Sequence, residues 1–111
     1  MRVLSRKQFI RERFRTDVLN RDKHRCRVCG RDDVKLDAHH ITDRNEMPNG
    51  GYVKENGITL CDTENGCHSL AEIFHITEGS AWEVGFHPND LYKMIGSSKE
   101  LAEEKAQKST L

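Results

Sequence analysis

Four cysteines stand in two pairs, Cys26 with Cys29 and Cys61 with Cys67, and the residues between and just after the pairs include His39, His40, Asn56 and His68. Thiolates and imidazoles are the side chains that hold transition metals at neutral pH, so this order of residues points first to metal chemistry. Cys26 and Cys29 are separated by two residues and followed by Gly30. That spacing lets both sulfurs face one tetrahedral ion while the backbone turns beneath it. Cys61 and Cys67 are separated by five residues, and Gly66 gives this wider loop freedom to close. The expectation is a structural zinc ion (Zn²⁺) held by all four cysteines, with His68 in place of Cys67 as the rival ligand set. A site closed by four protein ligands leaves no position for water or substrate, so hydrolysis requires a second centre. Structural zinc contributes on the order of 10 to 16 kcal/mol in small modules, comparable with the roughly 5 to 15 kcal/mol expected for a whole domain. Loss of the ion is therefore expected to unfold the middle of the chain.

The material for a second centre lies between the cysteine pairs. Asp37-Ala38-His39-His40-Ile41 comes first, then Asn56-Gly57-Ile58-Thr59-Leu60-Cys61, and His68 follows directly after the last cysteine. In this order, with Gly50 and Gly51 in the intervening loop, the stretch from about 23 to 76 resembles the HNH endonucleases. The resemblance implies a ββα-metal fold, in which a hairpin carries the histidine pair and the asparagine, and the next helix carries further metal ligands. By position it implies that His40 is the general base, that His39 and His68 hold a catalytic divalent ion, Mg²⁺ or another, and that Asn56 orients His40. It also implies cleavage of double-stranded DNA to 5′-phosphate and 3′-hydroxyl ends.

The chemistry suits these roles. A dication on the scissile phosphate offsets the charge that repels nucleophiles and stabilises the departing 3′ oxygen, while a neutral imidazole takes the proton of an attacking water. With a reference pKa near 6.5, His40 is expected to give a rate that rises through roughly pH 6 to 7, and lower beside a dication. Glu72 lies four residues after His68 on the same helical face, where some family members carry a histidine, and is the expected third ligand. A surface salt bridge is its other reading, and His75, also on that face, is the substitute ligand. Two features depart from the family pattern. The wide gap before Cys67 leaves His68 between zinc and catalysis, and adjacent strand residues face opposite sides, so His39 and His40 are expected to need a twist or bulge to share a site.

Elements must position these groups. Ser5 and Gln8 form a capping box, and Ile10, Phe14 and Val18 recur at helical spacing, which predicts a helix over about 6–20. Lys7, Arg11 and Arg15 form a cationic stripe on it, suited to phosphates flanking the cut, whereas Arg44 and Lys54 are expected at the scissile phosphate. Val34 to Ile41 and Gly57 to Cys61 read as the two strands of an irregular hairpin, and His68 to Ile76 as the helix that follows. Trp82, Val84 and Phe86 alternate like a short strand, and Pro88 opens a helix that Gly96 ends. Ser97 and Glu100 suggest one more capped helix with little beyond Leu101, Ala102 and Ala106 to bury. That helix is expected to fray or to dock on a partner, another protein or a second copy of the chain. His24 and His87 read as surface or capping residues.

The whole is an α+β chain read as one domain over 1–111: a catalytic unit at about 23–76, the N-terminal basic helix, and a C-terminal extension from about 80. Its 35% hydrophobic content is low for a core-stabilised domain of 111 residues, which again favours a structural metal. The net charge is zero, yet residues 1–31 hold 11 of the 18 basic residues, a basic end suited to a polyanion. The absence of any long apolar run excludes membrane spanning, and the reduced-thiol reading with no apolar leader predicts a cytoplasmic protein. The competing function is a non-catalytic zinc module that binds nucleic acid or a protein.

Overall fold

Helix α1, Arg6–Arg21, starts by the reciprocal capping its sequence predicts. Ser5 Oγ accepts the Gln8 amide at 3.1 Å and Gln8 Oε1 accepts the Ser5 amide at 2.9 Å. The computed structural model describes residues 3–109, and among these are four α-helices, two strands and three 3-10 turns. Strand β1, Leu36–His40, pairs antiparallel with β2, Gly57–Cys61, in an unbroken register from Leu36 opposite Cys61 to His40 opposite Gly57. Helix α2, Cys67–Ile76, follows, then α3, Pro88–Met94, and α4, Lys99–Lys108. The loop joining the strands runs through turns at Arg44–Glu46, Pro48–Gly51 and Lys54–Asn56. β1 is shorter than the Val34–Ile41 expected, and β2 has the bounds expected.

The hairpin is covered on both faces. Gly57 lets α1 approach closely, since a Cβ there would stand 2.5 Å from Val18 Cγ2 and 2.7 Å from Phe14 Cζ. The main core lies on the other side, where Ile41, Ile58 and Leu60 meet Ala71, Leu91, Tyr92 and Ala102. Asp22, at the end of α1, accepts the Thr59 amide at 2.9 Å and two bonds from Arg21 at 2.8 Å each. The Arg27 amide bonds Thr59 O at 2.9 Å. These contacts close the outer edge of β2.

Three expectations for the C-terminal extension are corrected. Residues 82–86 form no strand: β2's outer edge is closed, Gly85 turns the chain at φ +87°, and Trp82 and Val84 remain 49% and 89% exposed while Phe86 alone is buried. The cap of α4 is Ser98, whose Oγ accepts the Leu101 amide at 3.0 Å, while Ser97 Oγ instead donates to Glu55 O at 2.9 Å. Nor does α4 stand free. Its Ala102 and Ala106 are fully covered, and it packs on the 48–56 turns, because alanines let a helix approach a backbone that larger side chains would hold away. No helix among the described residues is long and apolar enough to cross a membrane.

Candidate active site

Cys26 and Cys29 sit in a knuckle closed by Gly30, whose amide bonds Cys26 O at 2.9 Å, while Cys61 ends β2 and Cys67 begins α2. Their four sulfurs gather within 4.8 Å of one another, and none is in a disulfide. The Cys29 and Cys61 sulfurs are 3.7 Å apart. A tetrahedron with bonds of about 2.3 Å has edges of about 3.8 Å, so this spacing suits zinc, and it is far beyond a disulfide bond of about 2.05 Å. Backbone amides also face the sulfurs, Cys29 N–H to Cys26 at 3.5 Å and Cys67 N–H to Cys61 at 3.2 Å. Burial raises the Cys26 thiol, but amide donors from Cys29, Cys61 and Val28 outweigh it and bring it down to about 7. This is a set that can hold a metal such as zinc. Cys67 belongs to it and His68 does not, so the rival set with His68 is not the one the fold assembles.

His68 instead joins His39 and Glu72, with one ligand atom of each within 4.8 Å of the others. Glu72 Oε1 stands 3.1 Å from His68 Nε2 and 3.1 Å from His39 Nδ1. The imidazoles hold the Glu72 carboxyl well below the usual range, His39 first and His68 second. His39 is 2% exposed, and its Nδ1, although close to Glu72, lies outside hydrogen-bond geometry and has no partner. An orphaned buried nitrogen beside a second imidazole and a carboxylate is what a cation would satisfy. The residues therefore fit a divalent ion. His68 Nδ1 lies 3.3 Å from Asp62 Oδ1 and 3.8 Å from Asp37 Oδ2, which directs its other nitrogen, Nε2, toward the ion site. The substitute ligand His75 is committed elsewhere, its Nε2 donating to His40 O at 3.0 Å.

His40 lines the same cleft, a space of about 310 Å³ bounded by residues 37–40 of β1, Asp43, Arg44, Tyr52 and the α2 residues His68, Glu72 and His75. No bulge was needed. The register is continuous, so His39 faces α2 and His40 faces α1, and the cleft follows the outer edge of β1, which no strand among the described residues covers. The His40 ring stacks on Phe14 at 4.5 Å and meets Tyr52 edge-on at 4.8 Å. It makes no hydrogen bond among the described residues, and its Nε2 is buried without a partner. Burial, and then the positive surroundings of His39 and Arg44, push its pKa down to about 4, so the ring is neutral at physiological pH.

Asn56 does not touch that ring. It is wholly buried, and its side chain bonds the Thr42 amide and carbonyl at 3.0 Å each, Gly51 O at 3.2 Å and the Tyr92 hydroxyl at 2.7 Å. Phe14 and Tyr52 pack the ring directly, and Asn56 bears on it only through the backbone beside it, where its carbonyl accepts the Ile41 amide at 2.9 Å. Phe14 carried a sequence signal only for the core, and Tyr52 carried none.

The cations divide. Arg44 lines the cleft, and hydrogen bonds from Arg44 and Arg11 hold the Tyr52 hydroxyl below its usual pKa against the opposing effect of burial. Arg15 is bound to Leu36 O at 3.1 Å, and Lys7 lies exposed near the start of α1. Lys54 is not at the cleft. Its 3-10 turn faces it into a larger groove against α1 and the end of α4, so its expected contact with the scissile phosphate is not supported. His24 bonds Asn20 at 2.9 Å, and His87 caps α3, as their sequence positions suggested.

A comparison with protein families agrees with this arrangement. The HNH endonuclease model matches residues 26–71, the stretch that spans the knuckle, the hairpin and most of α2. No curated protein and no solved structure matches.

Proposed function

We propose that this chain is a metal-dependent endonuclease that hydrolyses phosphodiester bonds of double-stranded DNA. His40 is the general base, His39, His68 and Glu72 hold the catalytic divalent ion, Mg²⁺ or a similar cation, and the four cysteines hold a structural Zn²⁺. One observation carries the reading: a neutral imidazole free of hydrogen bonds lines the same cleft as a three-residue cation site that contains an orphaned buried nitrogen.

The residues divide the work. His40, clamped between two aromatic rings, accepts the proton of an attacking water at a ring nitrogen that no other group occupies. Arg44, with Arg11 behind Tyr52, offers cationic donors to phosphate oxygens. His39, His68 and Glu72 would hold a divalent ion, which when bound would supply charge stabilisation for the scissile phosphate and the departing 3′ oxygen. Zinc has no part in the reaction, because its four cysteines leave no open position.

Supercoiled plasmid incubated with Mg²⁺ or Mn²⁺ tests the reading. Wild type should nick it, and His40→Ala should slow nicking by about 10² to 10⁴-fold while retaining zinc and fold. Equal cleavage by both proteins removes His40 from the mechanism, and no cleavage by wild type with any divalent ion favours the zinc module that only binds.

A further inference from the structure

Helices α3 and α4 follow the matched HNH segment, and they reach the site through the loop that joins the strands. One of these contacts is fully buried. The Tyr92 hydroxyl donates to Asn56 Oδ1 at 2.7 Å and lies 2.6 Å from Thr42 Oγ1. A phenol has a single proton, so with that proton on Asn56 the Thr42 hydroxyl must be the donor in the second bond. The relay therefore runs from Thr42 to Tyr92 to Asn56.

Asn56 is saturated by this arrangement. Its Oδ1 accepts from the Thr42 amide and from Tyr92, and its Nδ2 donates to the carbonyls of Thr42 and Gly51. Only one orientation of the amide plane satisfies all four. Thr42 lies two residues after His40, and the residue between them, Ile41, bonds its amide to Asn56 O at 2.9 Å. The backbone that leaves His40 is thus held at two successive residues by one asparagine.

We infer that Tyr92 is a positioning residue for the cleavage reaction: through Asn56 it sets the backbone at Ile41 and Thr42, and with it the seat of the His40 ring. The inference rests on the nuclease reading above. The same extension braces the rest of the loop, with Ser97 Oγ on Glu55 O at 2.9 Å and Asn49 Nδ2 on Ala106 O at 3.0 Å. Burial pushes the Tyr92 hydroxyl up to about 12, so it stays a donor at any working pH. The working catalytic unit accordingly extends beyond residues 26–71 to include α3.

Tyr92→Phe tests this, because it keeps the ring in the core and removes only the O–H. Single-turnover cleavage of plasmid at saturating Mg²⁺ should fall about tenfold, the rate equivalent of one net hydrogen bond, with half-saturating DNA concentration within about twofold. Zinc content should match wild type, and hydrogen exchange at the Thr42 amide should quicken. The inference is overturned if Tyr92→Phe cleaves at the wild-type rate, if the loss falls on DNA affinity alone, or if the rate drops with Thr42 exchange unchanged. A wild type that cleaves nothing defeats the nuclease reading and the catalytic half of the inference with it. The exchange measurement, which needs no activity, still decides whether Tyr92 holds the loop.

Discussion

His39 and His40 are neighbours in β1 that face opposite sides of a continuous hairpin and nevertheless line one cleft. The reason is the size of the sheet. With two strands, each has one outer edge; β2's is closed by Asp22 and the backbone at Arg27, whereas no strand among the described residues covers β1's, whose Leu36 and His40 carbonyls take only the side chains of Arg15 and His75. A cleft along such an edge collects side chains from both faces, which lets α2 supply ligands beside His39 while α1 supplies the slot for His40.

That slot depends on how closely α1 approaches β2. Gly57→Ala places a methyl group 2.5 Å from Val18 Cγ2 and 2.7 Å from Phe14 Cζ, so these buried side chains must shift, or α1 must move outward with them. Overpacking of this kind costs about 1–3 kcal/mol. Plasmid nicking, measured well below the melting temperature, should fall because Phe14 no longer backs the His40 ring. A folded Gly57→Ala protein with full activity would show that the Phe14 stack is dispensable.

The buried position of His40 also changes the expected pH response. A free imidazole would titrate near 6.5, whereas this ring is pushed down to about 4. The base is active when unprotonated, so at saturating metal its acid limb should lie near pH 4, with no His40-dependent loss between about pH 5.5 and 8. Single-turnover rates across that range test this, and a limb centred at 6.5 would contradict a desolvated His40.

Zinc removal should act on both centres at once. Cys61 ends β2, and Cys67 immediately precedes His68, a ligand of the proposed catalytic ion, so zinc held by the cysteines would tie the hairpin to α2. Metal analysis should find about one tightly held zinc per chain. Stripping it with a chelator under reducing conditions, or replacing Cys26 with Ser, should collapse the circular dichroism signal and the cleavage activity together. Retention of native structure in zinc-free protein would defeat the claim.

Asp22 should make stability depend on acid. Burial raises its carboxyl pKa, but hydrogen bonds from Arg21 and the Thr59 amide outweigh this and hold it below the ordinary 3.8. A folded-state pKa below the unfolded one gives stability that is fully present above the unfolded value and is lost as pH falls through the folded value. Asp22→Asn should therefore lower stability at pH 7 by about 1.5–3 kcal/mol, the range for hydrogen bonds to a charged group, and the difference should shrink below pH 4. Urea titrations at pH 7 and pH 3 measure it, and a difference that is equal at both would remove Asp22 as the source.

The elements that depend on local pattern were legible in the sequence. The capping box at Ser5, the bounds of β2, the start of α2 near Cys67 and the two-residue spacing of Cys26 and Cys29 each rest on residues within a few positions of one another. The grouping of His39 with His68 was what the HNH resemblance implied, and helical spacing added Glu72 to it. The alternation at 82–86 misled because a strand needs a partner edge, and no local pattern reports whether one is free.

Sequence alone determined which side chains can bind metal and which short segments carry them, because ligand type and helical or strand period are local properties. Tertiary structure decided what those side chains do. The stack of Phe14 on His40, the bond of His75 to the His40 carbonyl and the bond of Tyr92 to Asn56 join residues 26, 35 and 36 positions apart. Such contacts exist only once α1, α2 and α3 have packed on the hairpin and its loop, since packing depends on shape and on which faces remain to be covered.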